Sequence, residues 1–183
     1  MIPSEEEALA LHRKHGSKEI VVRHCRVVAG AAAAVADAFR AAGTPVDSSI
    51  VRAGALLHDI GRSRVMDVTH GFVGSEMLEA DGVDERVVQA VRKHVGAGLS
   101  PDEARGLGLP DRDYIPRTLE ERIVCFADKM VSTERVRPFS EEVDRFVRKG
   151  HDVARLLALK EGLARELGRD PEALLLDNVK ESG

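Results

Sequence analysis

The sequence Ala-Leu-Leu-His-Asp-Ile-Gly-Arg at residues 55–62 places a histidine and an aspartate side by side at the end of an apolar helical run. Imidazole and carboxylate groups are ligands that Mn²⁺, Fe²⁺ and Zn²⁺ take together. Adjacent helical residues point about 100° apart, so both side chains reach one ion only if it lies over the helix edge. An ion in that position needs further ligands from other helices.

Four more residues of suitable chemistry lie on or beside apolar helical stripes: His24, His70, His94 and Asp128. A single histidine on such a stripe is usually a hydrogen-bonded core residue. A carboxylate beside a buried stripe is rarer, because buried carboxylates are normally paired or bound to metal. Taken with the His58-Asp59 pair, these residues predict a metal centre inside a helical protein.

The 183-residue chain, of which 43% is hydrophobic, is long enough to bury one core and predicts a single domain. Its 27 basic residues are interleaved with 31 acidic residues, which gives a formal net charge of −4. This pattern disfavours an extended nucleic acid as ligand. An acidic start and the lack of a membrane-length apolar run predict a cytoplasmic protein without membrane association, and a homo-oligomer stays open.

The secondary structure is predicted to be all-α, because no stretch sustains an alternation of apolar and polar residues. Polar residues of the kind that cap helices precede most of the apolar periodic segments. The predicted caps are Ser4, Ser17, Asp47, Thr69, Asp84, Ser100, Thr118, Ser140, Asp152 and Asp170.

Several residues outside the predicted centre are given structural roles. Cys25 and Cys125 lie within apolar helical patterns and are interpreted as buried reduced thiols. His12 and His15 share a face of the first helix and are interpreted as solvated. The basic residues near the C-terminus are interpreted as solvated faces with acidic partners: Arg135, Arg137, Arg145 and Arg148.

Residues 96–116 form the loosest part of the chain, interrupted by one short predicted helix. A loop of this length beside a predicted site is consistent with a lid and equally with a surface excursion. Tyr114 within it is a natural surface for stacking on a base.

The pattern of His24, His58-Asp59 and Asp128 resembles the H…HD…D signature of the HD-domain superfamily of metal-dependent phosphohydrolases. His70 and His94 look like the two additional histidines of its binuclear members. The surrounding segments are most similar to the HD-type symmetrical diadenosine tetraphosphate hydrolases of bacteria and to small archaeal HD proteins. The resemblance covers residues 18–136, with an N-terminal helix at 1–17 and a C-terminal helical extension at 137–183.

This resemblance implies an all-α HD-type bundle and a metal-dependent phosphohydrolase. One ion is expected on His24, His58, Asp59 and Asp128, and Asp59 is expected to bridge to a second ion held by His70 and His94. Asp59, His70 and His94 are thus the expected catalytic residues, with His70 either a ligand or a general acid. Iron or manganese is favoured, and zinc, nickel, cobalt and magnesium fit the same ligands.

The expected substrate is a small phosphorylated compound: a nucleotide, a dinucleoside polyphosphate or a cyclic phosphate. Arg62, Lys93 and Lys129 are the predicted contacts to its phosphates. Many binuclear members have lysine shortly after the HD pair, whereas this chain has Arg62, which presents a planar fork in place of a point charge. Two alternatives stay open: a di-iron oxygenase of HD type, and a non-catalytic nucleotide-binding HD module.

Overall fold

The computed structural model describes residues 1–181, and the side chains as far as residue 177. Within that range the chain is a single all-α domain, as predicted. The helices in chain order are α1 Glu5–His15, α2 Glu19–Ala41, α3 Ser48–Leu57, α4 His70–Ala80, α5 Glu85–Lys93, α6 Pro101–Gly106, α7 Leu119–Lys129, α8 Phe139–Arg148, α9 Ala154–Leu167 and α10 Pro171–Glu181. A 3₁₀ turn, Ile60–Ser63, follows α3.

A short hairpin of two strands, β1 Val131–Ser132 and β2 Arg135–Val136, joins α7 to α8. Its strands are antiparallel, with Val131 opposite Val136. Two residues per strand are too few to produce a readable alternation of apolar and polar side chains, so the sequence pattern did not predict it.

The core is built by α2, α3, α5 and α7, which pack on one another, while α4 packs on α5. Small residues in the middle of α2, including Ala32 and Ala36, are fully buried and let the neighbouring helices approach closely. The last three helices extend the same core, since α9 packs on α7 and α10 on α2, with Leu156 and Leu163 fully buried. No helix of the described chain is both long and apolar enough to cross a membrane.

Helix starts follow the predicted capping chemistry where the capping partner is close in sequence. Ser4, Ser100 and Thr118 each form a complete capping box with the glutamate three residues later. Asp47 accepts hydrogen bonds from the amides of Ser49 and Ile50, as expected of an N-cap.

Four predicted caps differ from the structure. Asp152 lies one residue before Val153, the N-cap of α9, although its carboxylate accepts the amide of Ala154. Ser17 does not cap α2, which begins at Glu19 after Lys18, because the Ser17 hydroxyl is bonded to His12 instead. Thr69 precedes α4, but its hydroxyl donates to Asp67 and makes no capping bond. Ser140 lies inside α8, which begins one residue earlier.

His12 is buried, at 1% exposure, so its interpretation as a solvated residue is wrong. Its Nε2 lies 2.8 Å from the carbonyl oxygen of Leu56 and its Nδ1 lies 2.8 Å from the Ser17 hydroxyl. His15 is also largely covered, with its Nε2 2.6 Å from a carboxylate oxygen of Asp81. Both histidines therefore hold α1 against the rest of the domain.

The loop at residues 96–116 is folded back on itself. The amide of Leu99 donates to the carbonyl of Tyr114, and Gly98 has φ of 87°. A Cβ at Gly98 would lie 2.8 Å from both the Pro116 ring and the Tyr114 carbonyl, so only glycine fits this crossing. Tyr114 is 2% exposed and its hydroxyl donates to Pro110, so its prediction as an open stacking surface is wrong.

Candidate metal centre

The structure brings together the six side chains predicted as ligands, from five separate segments. His24 comes from α2, and Asp128 from the last turn of α7. The other four lie at helix ends: His58 and Asp59 directly after α3, His70 at the first residue of α4, and His94 directly after α5. Their nitrogen and carboxylate oxygen atoms form three overlapping groups, each with all ligand atoms within 4.8 Å of one another.

The Asp59 carboxylate stands between two of these groups. Its Oδ1 lies 3.0 Å from the Nε2 of His70 and 3.5 Å from the Nε2 of His94. Its Oδ2 faces the other way, 3.7 Å from the Nε2 of His58. The two oxygens of one carboxylate are therefore shared between two clusters of imidazole nitrogens.

The Asp128 carboxylate lies near the imidazoles of His24 and His58. Its Oδ1 lies 3.3 Å from the Nε2 of His24 and 3.5 Å from the Nε2 of His58. The imidazole of His58 thus lies between Asp59 and Asp128, with its ring 4.9 Å from that of His94 and 5.2 Å from that of His24.

All four histidines are held by the same kind of bond. The Nδ1 of each lies 2.6–2.9 Å from a backbone carbonyl oxygen, those of Thr133, Ala55, Asp67 and Val91 in chain order. A carbonyl oxygen only accepts, so each Nδ1 carries a proton, and each ring, when it is neutral, turns an Nε2 lone pair towards the centre. Metal-binding histidines are typically fixed by such second bonds.

This arrangement fits a bound cation. The Nε2 of His58 is buried without a hydrogen-bond partner, and the Nε2 atoms of His70 and His94 face each other at 3.0 Å. Lone pairs that converge on one another and on two carboxylates repel, and a buried acceptor without a donor is costly. A positive ion among these atoms removes both costs.

The carboxylates are ionised despite their burial. Burial alone would raise the pKa of Asp59, but the neighbouring His58, His70 and His94 hold it well below its ordinary value. Burial likewise opposes ionisation of Asp128, and Lys129 and the histidines reverse that effect on its pKa. Burial lowers the pKa of His94 to about 4, so that ring is neutral at physiological pH and its lone pair is free to bind.

Gly61 lets the two ligand-bearing segments meet. A Cβ at this position would lie 2.1 Å from the carbonyl oxygen of His70 and 2.7 Å from the amide nitrogen of Gly74. Both are backbone atoms of α4, which cannot move aside without shifting His70. The glycine of the His-Asp-Ile-Gly sequence therefore sets the distance between α4 and the turn that carries Asp59.

The three predicted phosphate contacts occupy different surroundings. Arg62 bonds Asp59, with its Nε 2.7 Å from Oδ2, and its side chain is 29% exposed. Lys129 lies 2.5 Å from Asp128. Lys93 is buried, and its Nζ lies 3.0 Å from a carboxylate oxygen of Glu121. Its charge is therefore paired with Glu121, whereas Arg62 and Lys129 pair with Asp59 and Asp128.

Exposure locates the open edge of the centre. His58, His70 and His94 have side chains that are 0–5% exposed, whereas those of His24 and Asp128 are 14% and 16% exposed. A molecule from solvent reaches the centre most directly at the His24 and Asp128 edge.

Sequence reasoning missed one backbone group at that edge. Thr133, in the turn of the β1–β2 hairpin, has φ of 57°, and its carbonyl accepts the Nδ1 proton of His24. Its neighbour Glu134 pairs with Arg23, at 2.8 Å. The hairpin thus fixes a ligand of α2, but a turn of four residues carries no signal for such a distant partner.

The HD domain family profile matches residues 21–132, a span that contains all six of these side chains. This chain belongs to the HD domain family. The match ends before α8, so the last three helices of the HD protein lie outside the family profile.

Relatives of this HD protein differ in size. It is 38% identical to a tRNA (cytidine(56)-2'-O)-methyltransferase of Picrophilus torridus over 178 residues, 96% of this chain and 51% of that protein. The corresponding Thermoplasma volcanium protein also has 38% identity, with 51% of its length covered, so the chain spans about half of these curated relatives. An uncharacterized protein of Methanocaldococcus jannaschii is 44% identical over 145 residues, 79% of this chain and 82% of that protein.

Among solved structures, the HD domain of the L. monocytogenes phosphodiesterase PgpH has the same fold. It superposes with a TM-score of 0.60 and 18% identity, covering 93% of this chain and 97% of that domain. The same domain in complex with cyclic-di-AMP gives a TM-score of 0.59.

Proposed function

We propose that this HD protein is a metal-dependent phosphohydrolase that cleaves a phosphoester or phosphoanhydride bond in a small nucleotide-like substrate. The observation that carries the proposal is the convergence of four Nε2 lone pairs and two ionised carboxylates on one buried space. Hydrogen bonds among these groups leave the buried Nε2 of His58 without a partner, whereas divalent cations would bind all of them.

The division of ligands follows the two faces of Asp59. His24, His58, Asp59 and Asp128 would hold one ion, and Asp59, His70 and His94 a second. Mixed nitrogen and oxygen ligands favour iron or manganese, and also accept zinc, nickel, cobalt or magnesium. Bound ions of this kind lower the pKa of water to yield a nucleophile near neutral pH and withdraw charge from a phosphoryl group.

The protein groups around the ligands orient them and set the charge. Arg62 and Lys129 balance the ionised Asp59 and Asp128, so the site becomes positive when divalent cations bind. A positive site favours an anionic substrate, and the exposed N–H groups of Arg62 would donate to its phosphate. Lys93 contributes less than its sequence position suggests, because Glu121 neutralises it.

A small substrate is favoured over a polymer because the chain has a net charge of −4, whereas a long polyanion is typically bound by a basic surface. A compact phosphate does not require such a surface. The cyclic-di-AMP complex of the PgpH domain is a case of a small nucleotide on the same fold. The methyltransferase names belong to proteins about twice as long. We therefore assign methyl transfer to the half that this chain does not match, and keep tRNA as a substrate to test.

The test begins with anaerobic purification and elemental analysis, followed by loading with Mn²⁺ or Fe²⁺. Hydrolysis is then measured as 4-nitrophenol released from bis(4-nitrophenyl) phosphate and, by chromatography, as the products formed from nucleotides, diadenosine polyphosphates, cyclic dinucleotides and tRNA. Asp59→Ala is expected to lose metal and turnover while keeping its helical circular dichroism. Asp37→Ala, which removes an exposed carboxylate on α2, is the matched control and is expected to behave like the parent protein.

The outcomes separate the alternatives. Failure to bind metal after incubation, or an active Asp59→Ala protein, would overturn the proposal. Metal-dependent consumption of oxygen without hydrolysis of any of these phosphate compounds would favour an HD-type oxygenase. Nucleotide binding without turnover of any substrate would favour a non-catalytic HD module.

A further inference from the structure

Helix α8, outside the HD family match, packs against the segments that carry Asp128 and His94. At its start, the ring of Phe139 stacks on Phe126 of α7 at 5.7 Å, two residues before Asp128. At its end, the ring of Phe146 lies against Gly96, where a Cβ would be 4.0 Å from the ring, two residues after His94. Two anchors therefore fix α8 between the segments that carry two of the ligands.

A buried carboxylate fixes the basic residues on this helix. Glu142 is 1% exposed and accepts hydrogen bonds from Arg137 and from both Nε and Nη2 of Arg145. Arg137 is itself only 12% exposed, so its interpretation as a solvated residue is wrong. Glu142 pairs with two guanidinium groups at once, which leaves net positive charge beside it.

Arg145 retains unused hydrogen-bonding capacity. A guanidinium has five N–H donors, and Glu142 takes two of those on Arg145. The side chain is 46% exposed, so the remaining donors face solvent. Because the bidentate pair with Glu142 already fixes the plane of the group, a ligand that binds it pays little side-chain entropy.

Electrostatics connect Arg145 to the centre. Hydrogen bonds to Glu142 raise the pKa of Arg145, and the charge of Asp128 adds to that rise. Asp128 lies at the exposed edge where a substrate would enter, next to Lys129. Arg145 therefore lies on the helix that packs against the segments carrying Asp128 and His94, within electrostatic reach of the Asp128 carboxylate.

We propose that Arg145 is a specificity-determining residue that binds a second, non-scissile phosphate of the substrate, so that the protein prefers compounds with two or more phosphate groups. The inference rests on the proposed function, whose centre would hold the scissile phosphate. It assigns to the C-terminal extension a part of the site that lies outside the 21–132 family match.

The test compares binding of two non-substrate nucleotides by calorimetry to the Mn²⁺-loaded 183-residue chain. Adenosine 5′-(α,β-methylene)diphosphate carries two phosphates, and adenosine 5′-monophosphate carries one. Arg145→Gln is expected to weaken binding of the first by roughly 10- to 100-fold, the value of a charge-assisted hydrogen bond, and to change binding of the second much less. The preference for two phosphates would then disappear.

Arg148→Gln is the matched control, since Arg148 is an exposed arginine one turn further along α8. It is expected to bind both nucleotides like the parent protein. An equal loss of both nucleotides in Arg145→Gln would assign Arg145 a purely structural role and overturn the proposal, as would no loss of either. Because this experiment measures binding and not turnover, its result is independent of the hydrolysis assays that test the proposed function.

Discussion

His12 and His58 are both buried, at 1% and 0% exposure, and both donate a proton to the C-terminal turn of α3. His12 bonds the carbonyl of Leu56 through Nε2, and His58 bonds the neighbouring carbonyl of Ala55 through Nδ1. They differ at the second nitrogen. That of His12 faces the Ser17 hydroxyl, whereas that of His58 has no partner and faces two carboxylates.

The comparison shows that burial alone does not identify a metal-binding histidine. Both residues satisfy carbonyl groups that a helix end leaves without internal partners. What marks His58 as a candidate ligand is the second nitrogen, which has no hydrogen-bond partner and lies among other acceptors. A core histidine has a donor there, and the Ser17 hydroxyl serves as that donor to His12.

The largest expected effect follows from removing the free nitrogen. His58→Ala is expected to reduce metal content to background and to abolish the rise in melting temperature that Mn²⁺ gives the parent protein. Its metal-free form is expected to melt below the metal-free parent, because the change leaves a cavity and removes His58 from beside Asp59, so the readout is the shift that Mn²⁺ produces in each protein. Elemental analysis and thermal unfolding with and without Mn²⁺ check this, and full metal retention would refute the assignment.

A change that shifts His70 without substituting it should have the next largest effect. Gly61→Ala puts a Cβ against the backbone of α4, so it is expected to lower the free energy of unfolding by about 3 kcal/mol and to weaken metal binding through His70. Gly30→Ala in α2 is the control, because a Cβ there meets nothing within 4 Å. That change is expected to stabilise the helix by about 0.5–1 kcal/mol, and urea titration compares the two. Equal stability of both variants would contradict the close approach at Gly61.

Substitution of His12, the second histidine of the comparison, should change the stability of the protein and leave metal binding unchanged. His12→Ala leaves the Leu56 carbonyl and the Ser17 hydroxyl without their partner, at a cost of about 2 kcal/mol. Metal content per chain and the melting shift produced by Mn²⁺ are expected to remain as in the parent protein. Loss of metal from this variant would break the distinction between the two histidines.

A smaller effect is expected where His15 pairs with a carboxylate. Burial would raise the pKa of Asp81, but the hydrogen bonds from Lys14 and His15 lower it below the model-peptide value of 3.8. The native pair therefore adds stability above pH 4, and this contribution is lost as the pH falls through the lowered value. Asp81→Asn is expected to cost about 0.5–1 kcal/mol at pH 7 and nothing at pH 2, as measured by urea unfolding. A cost that is constant with pH would rule out the charge as its cause.

The sequence predicted the parts of the fold that depend on near neighbours. The capping boxes at Ser4, Ser100 and Thr118 were readable because both partners lie within three residues. The all-α class followed from helical periodicity, and the grouping of His24, His58-Asp59 and Asp128 followed from the resemblance to the HD superfamily. Cys25 and Cys125 are free and buried, as expected from their apolar surroundings.

The errors share a physical cause: the partner is distant in sequence. Ser17 looked like a cap, but its hydroxyl is taken by His12, which itself reaches 44 residues along the chain to Leu56. Tyr114 is buried by a loop crossing at Gly98 that no periodic pattern encodes. Arg145 was interpreted as part of a solvated basic face, and only the packing of α8 shows that its partner Glu142 is buried.

The four Nδ1 bonds to backbone carbonyls have a consequence for how the protein can diverge. Because each ligand ring is aligned by the main chain, substitutions of the residues that supply those carbonyls leave the alignment intact as long as the backbone holds. The side chains of Ala55, Asp67, Val91 and Thr133 therefore do not set the alignment of the rings, although those of Ala55 and Val91 are constrained by their burial in the core. The geometry of the candidate ligands therefore follows from the backbone of the HD fold and does not depend on the helices beyond residue 136.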